Sequence, residues 1–152
     1  MFGFNDKLDP EWLATVGFFE GFGPDELAAV ASLGERVDVD AGVELIDQGR
    51  VGDHCYIIVT GTAAVRIRDE FVTTVGPGTM VGEMALVEHR PRNATVVAET
   101  PMTLVSYDTK AFGKLLARSP KVHDRVMAML RQRLAQNESR HDAGDGGARQ
   151  GR

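Results

Sequence analysis

The sequence predicts an α+β protein that is mainly β, an antiparallel β-roll or jelly roll with N-terminal helices, one short internal helix and two C-terminal helices. Short apolar and β-branched runs recur between residues 35 and 107, and glycines separate them. Helix start and stop signals lie on both sides of this region. Many short strands at such spacing favour a sandwich or a barrel over a parallel sheet.

Residues 1–34 are predicted to form a helical preface. A first helix is expected over 11–16, after Asp9-Pro10, and a second over 25–33, after Gly23-Pro24. Proline suits the first turn of a helix because its missing N–H would have no partner there. Gly34 ends the second helix.

Residues 35–107 are predicted to form the β-roll. Alternation is regular from 63 to 68, where Ala63, Val65 and Ile67 share one face, and Arg66 and Arg68 the solvated one. The seven predicted strands are Glu35–Asp40, Val43–Gln48, His54–Thr60, Thr62–Arg68, Phe71–Val75, Ala94–Glu99 and Thr103–Tyr107.

Residues 108–138 are assigned to two C-terminal helices, and residues 139–152, rich in glycine and charge, to a disordered tail. Asp108 is expected to cap the first helix, and Ser119-Pro120 to begin the second, which runs to about residue 136. The second helix carries an apolar stripe at helical spacing, made of Val122, Val126, Met129, Leu130 and Leu134.

Composition describes an ordinary globular chain of 152 residues, with 43% hydrophobic and 26% charged residues. A net charge of −5 disfavours a broad nucleic-acid surface, which needs clustered basic residues. The sequence has neither an apolar run long enough to span a membrane nor a signal-peptide pattern, so a cytoplasmic location is expected. The single cysteine, Cys55, lies in an apolar run and is expected to be a core thiol.

The segment from Gly82 to Thr95 predicts a pocket for a small phosphate ester. Gly82 permits close backbone approach, and a short helix over 83–87 would turn free N–H groups and its positive dipole end toward an anion. Arg92 can bond two phosphate oxygens at once. Glu83 accepts hydrogen bonds only, which suits a sugar hydroxyl.

This segment resembles the phosphate-binding cassette of cyclic nucleotide-binding domains, as in protein kinase A regulatory subunits, catabolite activator protein and cyclic-nucleotide-gated channels. Gly-Glu-Met-Ala-Leu at 82–86 precedes Arg-Asn-Ala-Thr-Val at 92–96 at the spacing found in the kinase subunits. The likeness extends over roughly residues 18–134.

The resemblance implies a role for each matching residue. Glu83, with the backbone of Gly82, would bind the ribose 2′-hydroxyl, and Arg92 the cyclic phosphate. Backbone N–H groups of Ala85 and Asn93 would complete the phosphate site. No further cofactor is implied, and the ligand expected is cAMP, with cGMP left open.

Two positions depart from the family pattern. Val81 replaces the usual phenylalanine, and Asn93 stands where cAMP sites have alanine and cGMP-selective sites threonine. Base preference therefore stays open. Val65, Ile67 and Val81 are candidates for the apolar wall against the base, although core packing explains them equally well.

The base often lies under a C-terminal aromatic side chain in this family. No aromatic residue follows Phe112, so the last helix cannot supply one. Candidate substitutes are Arg131, Arg133, Leu134 and His123, or the base could stay open.

A non-enzymatic, stand-alone sensor is therefore predicted, in which ligand binding moves the C-terminal helices. It would act on a protein partner or as a homodimer through those helices. The alternatives are a ligand-free β-roll interaction module and a cupin-like metal enzyme. The second needs clustered ligands, whereas the histidines occur singly, at His54, His89, His123 and His141.

Direct DNA binding is not expected. Bacterial relatives join this kind of domain to a helix-turn-helix that follows the last helix, and here only the polar tail stands in that place.

Overall fold

The computed structural model describes residues 2–46, 54–82 and 94–132. The chain divides into two compact units, Met1–Ser119 and Pro120–Arg152. This division falls one helix later than the predicted boundary between the roll and the C-terminal helices.

The described part of the first unit contains nine strands, a 3-10 turn and three α-helices. The strands are β1 (Phe2–Lys7), β2 (Glu35–Val39), β3 (Glu44–Ile46), β4 (His54–Thr60), β5 (Ala63–Ile67), β6 (Glu70–Val75), β7 (Met80–Val81), β8 (Thr95–Ala98) and β9 (Met102–Asp108). The helices are α1 (Pro10–Leu13), the 3-10 turn (Gly17–Phe19), α2 (Pro24–Leu33) and α3 (Thr109–Arg118). In the second unit, residues 120–132 are helical and are called α4.

The described strands form two antiparallel sheets. The larger has the order β1-β2-β9-β4-β7 and the smaller the order β3-β8-β5-β6. One core cluster takes side chains from both sheets, including Val37, Ile58 and Leu104 from the larger, and Ala63 and Val96 from the smaller. A mainly β roll with flanking helices is thereby confirmed.

Two strands were not predicted. The sequence of β1, Phe-Gly-Phe-Asn-Asp-Lys, has three residues that are poor strand formers. Its conformation comes from antiparallel pairing with β2, which opposes Asn5 to Val37 and Lys7 to Glu35. The other strand, β7, has two residues, too few to show a periodic pattern. Residues 1–34 thus contain a strand as well as helices.

Several element boundaries match their predictions closely. β4 spans His54–Thr60 as predicted, and α2 begins at Pro24, one residue before the predicted start. The N–H of Gly23, the N-cap residue, donates to Glu26 Oε1 at 2.7 Å, and this hydrogen bond caps the N-terminus of α2. α1 is shorter than predicted, because it ends at Leu13 and is followed by the 3-10 turn.

The hairpin between β5 and β6 corrects one detail of the predicted alternation. Arg66 and Arg68 are exposed as expected, but Ala64 is buried along with Ala63. The reversal uses Arg68 and Asp69, with φ angles of 54° and 65°. Two consecutive left-handed residues match the twist of a tight hairpin, so the strand ends before Arg68.

Asp108 caps α3 as predicted, since its Oδ1 accepts from the N–H of Ala111 at 2.7 Å. In α4, Val122 and Val126 are buried, whereas Met129 and Leu130 are half-buried. Leu134 and the predicted tail lie outside the described residues.

Cys55 is a fully buried thiol on β4, so the prediction of a core thiol is confirmed.

Candidate functional site

Only part of the predicted site lies within the described residues. Gly82, Val81, Val65 and Ile67 belong to the described residues and are called the frame of the predicted site. The other residues predicted to hold the phosphate and the ribose lie outside the described residues, namely Glu83, Ala85, Arg92 and Asn93.

Gly82 is the frame residue that directly precedes residues 83–93. It directly follows β7, whose Val81 pairs with Tyr56 and whose Met80 pairs with Ile57 of β4. The φ angle of Gly82 is 88°, in the left-handed region that a side chain with a Cβ rarely adopts. The chain therefore leaves the larger sheet through a turn that favours glycine.

The C-terminal side of the frame belongs to the other sheet. β8 begins at Thr95 and pairs with β5, which opposes Thr95 to Arg66 and Val96 to Val65. Residues 83–93 therefore connect an edge strand of the larger sheet to an inner strand of the smaller one. Val81 and Val96 belong to the same core cluster, so both ends of the connection are anchored on it.

The candidate wall residues differ in how much surface they leave open. Only 4% of Val81 is exposed, and it packs within the core cluster. Val65 and Ile67 are half-buried, and Val65 packs against the same cluster. Among these three side chains, the two on β5 thus retain surface for a ligand.

Val75 is a neighbour that the sequence reasoning did not assign to the site. It is half-buried on β6 and pairs with Ala63. Val75 and Val65 both pack against the core cluster. Most of β6 is exposed, so the sequence pattern of this strand is weak and does not distinguish Val75.

The described residues include no group of three or more histidine, cysteine, aspartate or glutamate side chains suited to a metal ion. His54 lies on β4, and His123 lies on α4, where its Nδ1 is 3.3 Å from Asp124 Oδ1. His89 and His141 are outside the described residues. In that same described part, no helix is long and apolar enough to cross a membrane.

A family model supplies the deciding comparison. The model described as the cyclic nucleotide-binding domain matches residues 36–119. This chain belongs to the cyclic nucleotide-binding domain family. The match runs from β2 to the end of α3 and includes the whole cassette, which confirms the resemblance predicted from residues 82–96.

Relatives with known names agree with this membership. The CRP-like cAMP-activated global transcriptional regulator of Mycobacterium tuberculosis is 30% identical over 129 residues, which cover 82% of this chain. The same alignment covers 58% of that relative, so this chain spans little more than half of its length.

Solved structures place the fold in the same family. The catabolite activator protein of Thermus thermophilus has a TM-score of 0.73 and 26% identity, over 83% of this chain and 62% of that one. A cAMP-bound protein kinase A regulatory subunit, PfPKA-R, has a TM-score of 0.70 and 26% identity, over 85% of this chain and 45% of that one. This chain therefore shares its fold with a catabolite activator protein and with a cAMP-bound kinase regulatory subunit.

Proposed function

We propose that this chain is a cAMP-responsive sensor domain that binds its ligand through residues 82–95 without chemical turnover. The observation that carries the proposal is the family match across the cassette, together with the anchoring of both cassette ends on one core cluster. Val81 and Val96, on the two sides of residues 83–93, both lie in this cluster, which fixes where the segment leaves one sheet and enters the other.

An arginine would bind the phosphate end of the ligand, and a carboxylate would bind its ribose. Arg92 supplies the positive charge for the cyclic phosphate, and the N–H groups of Ala85 and Asn93 add donors. Glu83 and the backbone of Gly82 bind the ribose 2′-hydroxyl. A linear monophosphate carries more charge and lacks the ring geometry, so it is expected to bind less well.

The choice of cAMP over cGMP draws on the relatives. The mycobacterial regulator is named as cAMP-activated, and the kinase subunit is cAMP-bound. The purine would lie against the exposed parts of Val65 and Ile67 on β5, with Val81 supporting the wall from the core. A cap over the base would come from Arg131, Arg133, Leu134 or His123, or the base would stay open.

Signalling would use the helices that follow the roll. α3 begins at Thr109, directly after β9, and contacts α2 as well as β4 and β9. Ligand binding can shift these helices only if one arrangement binds the ligand better than the other. The moved surface would then act on a protein partner or on a second copy of the chain.

Thermal unfolding with different nucleotides tests this function directly. A ligand that binds only the folded state stabilises it by about 2.7 kcal/mol at a hundred times its Kd. We expect cAMP to raise the melting temperature most, cGMP less and linear AMP least. A chain that melts at one temperature with all three nucleotides would instead be a ligand-free interaction module, and a rise that requires a divalent metal would favour the enzyme alternative.

A further inference from the structure

We infer that α3 presents a basic stripe that docks a short acidic segment of a partner protein. The basic stripe consists of Lys110, Lys114 and Arg118, and all three residues are exposed. Residues four apart in a helix lie on one face, so the three charges form a single row. Phe112 and Leu115 are buried and hold α3 in the fold from another face.

Fold stability explains Arg118, which lies in the last turn of α3 where the helix dipole favours a cation, but it explains neither lysine. The sequence of α3, Thr-Lys-Ala-Phe-Gly-Lys-Leu-Leu-Ala-Arg, has no acidic residue to pair with the row. Within the described part of the chain, none of the three forms an ion pair. Like charges at this spacing repel one another. Lys110 also lies in the first turn, where the helix dipole disfavours a cation.

The basic stripe is positively charged, whereas the net charge of the whole chain is negative. The whole sequence has a net charge of −5 and a pI near 5.3, so the basic stripe is a local exception. A long polyanion such as duplex DNA would extend beyond the row and meet a chain whose net charge is negative. A short acidic peptide would touch only the row and be attracted by it.

The length of the row fits such a peptide. Arg118 lies eight positions after Lys110, which is about 12 Å along the helix at 1.5 Å per residue. An extended chain covers about the same distance with four residues, at roughly 3.3 Å each. A cluster of three or four glutamates or aspartates in an unfolded segment of a partner therefore matches the row.

The test measures binding of a fluorescent peptide of about ten glutamates, which is longer than the row, to the full chain by anisotropy at low ionic strength. The stripe variant replaces Lys110, Lys114 and Arg118 with glutamine. The control variant makes the same replacement at three exposed basic residues on β1, β5 and α4, which are Lys7, Arg66 and Arg131. Both variants change the net charge from −5 by −3 to −8.

We expect the stripe variant to bind the peptide about ten-fold more weakly than the wild type, because three surface ion pairs are lost. The control variant should lose less than about two-fold, and raising the salt should weaken wild-type binding. The single variant Lys114→Gln should show part of the loss, which keeps the result interpretable if the triple variant fails to fold.

Equal losses in the stripe and control variants would overturn the inference, because binding would then follow net charge alone. It would equally be overturned if the wild type did not bind the peptide. Tighter binding of a duplex DNA or of anionic vesicles through the same three residues would show that the partner class is wrong.

Discussion

The hydroxyl of Tyr107 donates a hydrogen bond of 3.2 Å to the carbonyl oxygen of Val30, which joins the end of β9 to the last turn of α2. Both residues are buried. Tyr107 directly precedes Asp108, the cap of α3, so this contact lies where the roll meets both of its helices. The junction proposed to transmit ligand binding therefore includes a buried polar contact.

Removal of this hydroxyl should destabilise the fold. In Tyr107→Phe, the Val30 carbonyl stays buried without its donor, which costs about 1–3 kcal/mol of unfolding free energy. Urea unfolding measures the difference. Thr73→Val is the control, since its exposed hydroxyl lies 3.4 Å from the Thr74 carbonyl oxygen. Equal losses in the two variants would contradict a special role for Tyr107.

Gly34 is expected to tolerate no side chain, because a Cβ there would lie 2.6 Å from Cε1 of the buried Tyr107 ring. Gly34→Ala should therefore lower the unfolding free energy by about 1–3 kcal/mol. Gly113→Ala is the matched control, since a Cβ at that position in α3 meets nothing within 4 Å. The control should gain about 0.5–1 kcal/mol from helix propensity. A neutral Gly34→Ala would show that the Tyr107 ring can move.

The stability of the fold should decrease at alkaline pH. Burial raises the pKa of Tyr107 well above its ordinary value, and the neighbouring Cys55 adds to the rise. The folded state therefore keeps the phenol proton when the unfolded state has lost it, so the unfolding free energy falls as pH rises above about 10. Urea unfolding between about pH 8 and 11 should show a shallower fall in Tyr107→Phe than in the wild type. Identical slopes would remove Tyr107 as the source.

Arg92 carries the proposed phosphate contact. Arg92→Ala should remove charge-assisted hydrogen bonds worth about 1.5–3 kcal/mol, which weakens cAMP binding roughly ten- to hundred-fold. Calorimetry measures the affinity, and the melting temperature without ligand should change little. Arg66→Ala, which removes an exposed arginine of β5, should bind cAMP as the wild type does. Unaltered affinity in Arg92→Ala would refute the assignment.

Glu83 carries the proposed ribose contact. Glu83→Gln should weaken cAMP binding less than Arg92→Ala does, and should reduce discrimination against 2′-deoxy-cAMP, because the charged acceptor for the 2′-hydroxyl is lost. Competition between the two ligands measures the ratio of affinities. Glu70→Gln, an exposed residue of β6, provides the control. A ratio that stays at the wild-type value would remove Glu83 from this role.

The sequence predicted well those elements that depend on residues close together in the chain. The β-branched and aromatic run at His54–Thr60 predicted β4 to the residue, and Asp108 predicted the cap of α3. The cassette motif predicted the family because its residues are close together in sequence. Side-chain roles within the cassette stay predictions, since those residues lie outside the described structure.

The amino-acid sequence alone determined the fold class and the family, and it predicts the position of the cassette, because periodicity, caps and a short motif act over a few residues. Only the tertiary structure decided that Phe2–Lys7 forms a strand and that Gly34 lies against Tyr107. The Tyr107 contact with Val30 joins residues 77 positions apart. Pairing and packing at such separations depend on the whole chain having folded, and no window of sequence contains both partners.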